Sequence, residues 1–198
     1  MPASGKTTLT RLLVQHIHQQ EPAVHVILIS GWPLEEVKAI GGWQAYLQYE
    51  FGWVQGQKTI FIFDEAQLSY EDFSLWNVFF KNIDLYANIF AIAFASYGSP
   101  TSRFSIKGLP FSVSDSQRIT LRPIDHGDGF NAVGLLFSRM EFDVLVHKQF
   151  SSSGYYFHRS FFDAVFDLTG GHVGAIRGFV KITTGHDVRF FMMSEHTT

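Results

Sequence analysis

Cysteine is absent from all 198 residues, which excludes disulfides, cysteine–zinc centres and thiol catalysis. A reducing compartment fits that composition. Charge is scarce too. Asp, Glu, Lys and Arg make up 17% of the chain, against roughly 25% in an ordinary soluble domain. With 46% hydrophobic residues, that balance excludes a disordered tail protein. The formal net charge of −3 and pI near 6.3 supply no electrostatic drive toward bulk nucleic acid or an acidic membrane. Long apolar runs are also missing. The most apolar run, Ile89 to Ala95, falls far short of the ~18–20 residues needed to span a bilayer. Residues 1–20 show no apolar stretch leading to a small-residue cleavage site. The expectation is a soluble intracellular protein with neither membrane nor nucleic acid as partner.

Phenylalanine is what the chain has in excess, at 21 residues. Each buried aromatic ring supplies about 150–250 Å² of core, and the length suits one domain, or one with a small appendage. Leu9, Leu12, Leu13 and Ile17 form the apolar stripe of a helix over 5–19. Val24–Ile29 is short, apolar and β-branched, as in a strand buried on both faces. Pro33 opens a helix reaching about Tyr49, weakened by Gly41-Gly42. Thr59–Phe63 is a second strand. Residues 70–86 predict a helix with Phe73, Trp76, Phe79 and Phe80 on one side. Asn88–Ser96 is a third strand, and Gln117–Leu121 a fourth after a loop rich in Gly, Ser and Pro. Beyond Pro123 only helices are expected, near 136–149, 160–169 and 173–184. Residues 1–123 thus read as an α/β core on a parallel sheet, 124–184 as a small helical unit and 185–198 as a tail.

Two motifs carry chemistry. Ser4-Gly5-Lys6-Thr7-Thr8 opens the first helix and matches the second half of a phosphate-binding loop, G-x-x-x-x-G-K-[ST]. Backbone N–H groups at a helix N-terminus can cradle phosphate. In that pattern Gly5 permits close approach, Lys6 reaches the β- and γ-phosphates, and the Thr7 hydroxyl binds Mg²⁺. The plainer reading is a helix start capped by Ser4. The second motif is the strand Thr59–Phe63 running into Asp64-Glu65. Two carboxylates then stand at the carboxyl edge of a sheet, where ligands bind in open α/β folds. Asp64 suits support of Mg²⁺ and Glu65 suits general-base activation of water. The plainer reading is an acidic turn.

This pairing resembles the P-loop NTPases that carry an additional catalytic strand, and within them the AAA+ and STAND-like ATPases, with Walker A and Walker B motifs at the two places. The resemblance runs from Met1 to about Ile182. It implies a three-layer α/β/α parallel sheet with a C-terminal helical lid, ATP and Mg²⁺ as ligands, and hydrolysis coupled to conformational change. It implies Ser96 as a sensor after the third strand and Arg103 as an arginine reporting on the γ-phosphate. Thr169-Gly170-Gly171-His172-Val173-Gly174 is similar to the turn between lid helices in the same ATPases, with Val173 where proline is frequent. Arg177 then falls in the place of a second sensor. Without any nucleotide, the same glycines read as a turn needing positive φ, and Phe161, Phe162, Val165 and Phe166 read as helical-unit core. Relatives of this kind assemble as homo-oligomers or with a partner protein.

Two other functions suit parts of the pattern. A nucleotide-dependent switch or scaffold would bind ATP or ADP with little turnover, although Glu65 leans toward hydrolysis. A small-molecule kinase fits residues 1–20 alone. The resemblance also implies a sheet order of 5-1-4-3-2, whose first strand and first loop glycine would precede Met1. The expectation is a fragment of a longer protein that by itself binds ATP weakly, hydrolyses little and tends to aggregate. Elsewhere the patterns fail. Lys81-Asn82-Ile83-Asp84 has the wrong order for guanine recognition, His16 and His18 diverge on their helix, and Asp125–Gly129 lacks a calcium loop's ligands.

Overall fold

A computed structural model describes residues 5–95, 114, 117–123, 134–150 and 157–185. The chain divides into two compact units, one running from Lys6 to Arg118 and the other from Ile119 onward together with Gly5. The first is a mixed α/β unit. Helix α1 (Lys6–Gln20) leads into strand β1 (His25–Ile29). The expected helix from Pro33 to Tyr49 is two helices, α2 (Leu34–Ile40) and α3 (Trp43–Phe51). The break lies at Gly41 and Gly42, with φ of 111° and 101°, a region that side chains with a Cβ rarely enter. Strands β2 (Thr59–Phe63) and β3 (Ile89–Ala93) complete an open parallel sheet in the order β1-β2-β3. Ile27 pairs with Phe61, and Phe61 with Ala91.

Alternation along the strands explains where the core sits. Ile27, Ile29, Phe61, Phe63, Ile89 and Ala91 share one face, and all join a cluster with Trp32, Trp43, Tyr46, Trp53, Trp76, Phe79 and Phe80. The rings are interlocked rather than merely near: Trp76 stacks on Phe80 at 4.4 Å, and Trp43 lies 4.7 Å from Phe79. The other face is Val26, Leu28, Ile60, Ile62, Phe90 and Ile92. Its cover is uneven: Ile62 on the central strand is fully buried, whereas Phe90 on β3 is 51% exposed, and α1 packs on β1. β1 is therefore buried on one face and only half-buried on the other, contrary to the sequence expectation.

Residues 70–86 depart further from expectation. After a 3₁₀ turn (Ala66–Ser69) come a π-helical turn (Leu75–Phe79) and a 3₁₀ segment (Phe80–Leu85). Asp72 sets the entry. Its Oδ1 accepts from the Leu75 amide at 2.9 Å and its Oδ2 from Trp32 Nε1 at 3.0 Å. Trp76 Nε1 donates back to Ser69 O at 2.9 Å. Those ties leave Phe73 exposed while Trp76, Phe79 and Phe80 are buried. Gln117–Leu121 forms no strand. The carbonyls of Thr120 and Leu121 accept instead from the amides of Leu135 and Leu136, and among the described residues β3 pairs only with β2.

The second unit holds α4 (Arg139–Phe150), α5 (Arg159–Thr169) and α6 (Val173–Gly185). Phe142, Val146, Phe150, Val165 and Ile176 form its centre, with Phe161, Phe162 and Phe166 packed around it. The phenylalanine stripe is thus core. The α4 N-terminus is a capping box. Ser138 N–H and Oγ donate to Glu141 Oε2 at 2.7 and 2.8 Å, and the Glu141 amide returns to Ser138 Oγ at 3.3 Å. The backbone bond from Ser138, then the hydroxyl, holds the Glu141 carboxyl below its ordinary value near 4.5. A depressed carboxyl stabilises the fold above its unfolded pKa, and that stabilisation is lost as pH falls through the folded value. Glu141→Ala should cost about 0.5–1 kcal/mol at neutral pH. The gap from the parent, read by urea unfolding, should close as pH falls below the ordinary carboxyl value and through the lower one of the folded state.

Candidate functional site

Asp64 continues the β2 ladder by one residue, its amide donating to Ile29 O at 2.8 Å. This strand is central, so its carboxyl end lies amid the carboxyl edge of the sheet. The Asp64 side chain is 6% exposed, and its Oδ1 has no hydrogen-bond partner. A buried carboxylate oxygen without a donor is costly, about 1–3 kcal/mol, and such groups call for an explanation.

Glu65 is the only non-glycine with positive φ among the described residues, at φ 57°, ψ 44°. For a residue with a Cβ this conformation costs about 1–2 kcal/mol. Neighbouring bonds impose it. The Ala66 amide donates to Phe94 O at 2.8 Å and the Leu68 amide to Glu65 O at 2.9 Å. The Glu65 side chain is half-buried and accepts a hydrogen bond on Oε2 from Gln67 Nε2.

Gly5 has φ of 85°, and Lys6 begins α1. Lys6 is 7% exposed, whereas Lys38 and Lys58 lie at the surface. Thr7 and Thr8 are exposed on the first turn. The chain reverses between Glu21 and Val24, whose amide donates to Glu21 O at 3.0 Å, and α1 packs on β1. That packing sets α1 beside the strand next to β2, the strand that runs into Asp64 and Glu65. Ser4, Ser96 and Arg103 lie outside the described residues. Arg177 is exposed on α6 of the second unit.

A divalent cation fits this donor set in one way. Among the described residues no group of three or more His, Asp or Glu gathers to hold a metal, so a cage made only of protein ligands is not present there. Mg²⁺ needs less, because it keeps waters and is commonly held by one or two protein oxygens together with substrate phosphates. The buried Asp64 Oδ1 and the Thr7 hydroxyl are hard oxygen donors of that kind. No helix among the described residues is long and apolar enough to cross a membrane. An open cavity of about 610 Å³ lies along α4, lined by Arg139, Met140, Asp143, Val144, His147 and Lys148, none of them residues with a role in the motifs above.

Gln67 is the contributor that motif reading missed. Its signal is slight, a single amide two residues beyond Glu65, and it becomes visible only once the turn geometry is known. Comparison with known proteins adds no assignment: no family model, curated protein or solved structure matches the chain.

Proposed function

We propose that the first unit binds ATP with Mg²⁺ and hydrolyses it to ADP and phosphate, in the manner of the AAA+ and STAND-like P-loop ATPases, with the helical unit as its lid. The observation that carries this reading is the buried, unpartnered Asp64 Oδ1 beside a strained Glu65 at the end of the central parallel strand. Strained backbone of this kind clusters at active sites, ligand clamps and switch regions. Lys6 holds the β- and γ-phosphates, and the α1 N-terminus adds its aligned amides. Thr7 and Asp64 support Mg²⁺, which when bound neutralises charge on the phosphate oxygens. Glu65 accepts a proton from the attacking water while the bond from the γ-phosphorus to the ADP oxygen breaks. Ser96 and Arg103 are proposed to sense the γ-phosphate.

A switch that retains nucleotide is the second reading. The Gln67 bond favours it to the extent that it occupies one Glu65 oxygen. Single-turnover hydrolysis by the 198-residue chain, with protein in excess over radiolabelled ATP, separates the two. Hydrolysis by this chain, though slow, should be measurable under single-turnover conditions, and Lys6→Ala should weaken its ATP binding by about a further 10- to 100-fold, the worth of a charge-assisted hydrogen bond. Bound ATP that stays intact indicates the switch. Undiminished affinity in Lys6→Ala removes Lys6 from the site.

A further inference from the structure

We infer that Gln67 is a positioning residue for Glu65, fixing the carboxylate that acts as general base. The inference rests on the hydrolytic reading above and deepens it. Three features of the turn converge on it. The backbone at Glu65 is held in the left-handed region by bonds on both sides, Asp64 N–H to Ile29 O and Ala66 N–H to Phe94 O, each 2.8 Å. That fixes where the side chain leaves the main chain but not its outer torsions. A glutamate has three of these, and the terminal one is broad and soft. The Gln67 amide closes that freedom by donating to Oε2. The turn itself brings Gln67 within reach, because residues 66–69 coil into a single 3₁₀ turn. The 3₁₀ turn is braced in its own right, with Ser69 Oγ donating to Ala66 O at 2.7 Å and Trp76 Nε1 to Ser69 O at 2.9 Å.

The division of labour follows from the inventory of the groups. A carboxylate offers two oxygens with about four acceptor directions, and a side-chain amide offers two donors. Gln67 engages one acceptor direction of Oε2, and the carboxylate as a whole is the base assigned to water. Orientation of a base by a third group is a recurring feature of catalytic sites. A glutamate at position 67 would set two carboxylates against each other, and a methionine would keep the length without the donor.

The test is single-turnover ATP hydrolysis by the full chain, comparing wild type, Gln67→Met, Glu65→Gln and the double variant. Gln67→Met should lower the rate constant about 10- to 100-fold, the scale of a mispositioned catalytic group. The ATP concentration for half-maximal rate should stay unchanged, since Gln67 is not assigned to the nucleotide. In the Glu65→Gln background, adding Gln67→Met should lower the rate no further, because a residue that acts only through Glu65 has nothing left to position. A structural role would slow both backgrounds alike, and that result overturns the inference. So does a Gln67→Met rate equal to wild type. If Gln67→Met fails to fold, Gln67→Asn, which keeps a donor on a shorter arm, takes its place with the same expectations. Wild-type protein that binds ATP without hydrolysing it overturns the hydrolytic reading and this inference together. That outcome is distinct from hydrolysis that is indifferent to Gln67.

Discussion

Gly171→Ala should destabilise the helical unit by about 3–5 kcal/mol, the combined scale of left-handed strain and overpacking. Gly171 has φ of 81° and is buried. A Cβ placed there would lie 2.3 Å from Phe137 O and 3.2 Å from Phe137 N. Those atoms are backbone and cannot rotate away. They are also pinned, because the Phe137 amide donates to Gly171 O at 2.9 Å, and the Phe137 ring packs against the core of the unit. Relief of the clash would pull that ring out of place. Gly170 is the internal control. It too is left-handed, at φ 55°, and it closes α5 by donating to Phe166 O at 2.8 Å. A Cβ there meets nothing within 4 Å. Gly170→Ala should therefore cost only the conformational term, about 1–2 kcal/mol. Chemical unfolding followed by far-UV circular dichroism, with hydrogen exchange assigning the loss to residues 137–185, reads both. Equal costs for the two variants would sink the argument.

The two glycines also show what a sequence can disclose. Adjacent glycines between apolar periods announce a turn with positive φ, and that much is present. They do not announce which one faces a carbonyl, because that depends on how Phe137 returns across the turn. The strands follow the same rule. TIFIF and IFAIA are legible because their shortness and their β-branched and aromatic content favour a strand where periodicity alone would not decide. The helical character of 70–86 was legible, but not its π and 3₁₀ winding or the exposure of Phe73. Phe73, Trp76, Phe79 and Phe80 fit a helical stripe by spacing, but Asp72 starts the helical run and Trp76 ties back to Ser69, and Phe73 is left outside. Gln117–Leu121 has the composition of a strand. Its carbonyls nevertheless bond elsewhere, and composition does not register competition for backbone partners. At the site, the acidic pair after an apolar strand was legible as a pair. The strain at Glu65, the Gln67 bond and the orphaned Asp64 oxygen are properties of one turn, and only its geometry reveals them.

Asp64→Asn should make the nucleotide-free protein more stable and nearly abolish its proposed activity. The contrast with Asp72 makes the case. Both aspartates are buried to the same degree, with 6% and 7% exposure. Asp72 is fully employed, one oxygen on the Leu75 amide and the other on Trp32 Nε1. Asp64 keeps Oδ1 buried without a donor. Conversion of Asp72 to asparagine turns one acceptor into a donor facing a donor, which should cost about 1–3 kcal/mol. Conversion of Asp64 removes the charge from a carboxylate whose buried Oδ1 accepts no hydrogen bond, so stability should rise by about 1–2 kcal/mol. Function should move the other way. The amide is a poor ligand for Mg²⁺, and loss of a group placed to stabilise developing charge costs about 10²–10³-fold in rate. Mg²⁺ with ATP should raise the melting temperature of wild type, because ligands that bind the folded state stabilise it, and should leave that of Asp64→Asn unmoved. A variant that is less stable than wild type when nucleotide-free, or that still gains stability from Mg²⁺ and ATP, would show that Asp64 is an ordinary structural carboxylate with a satisfied surrounding.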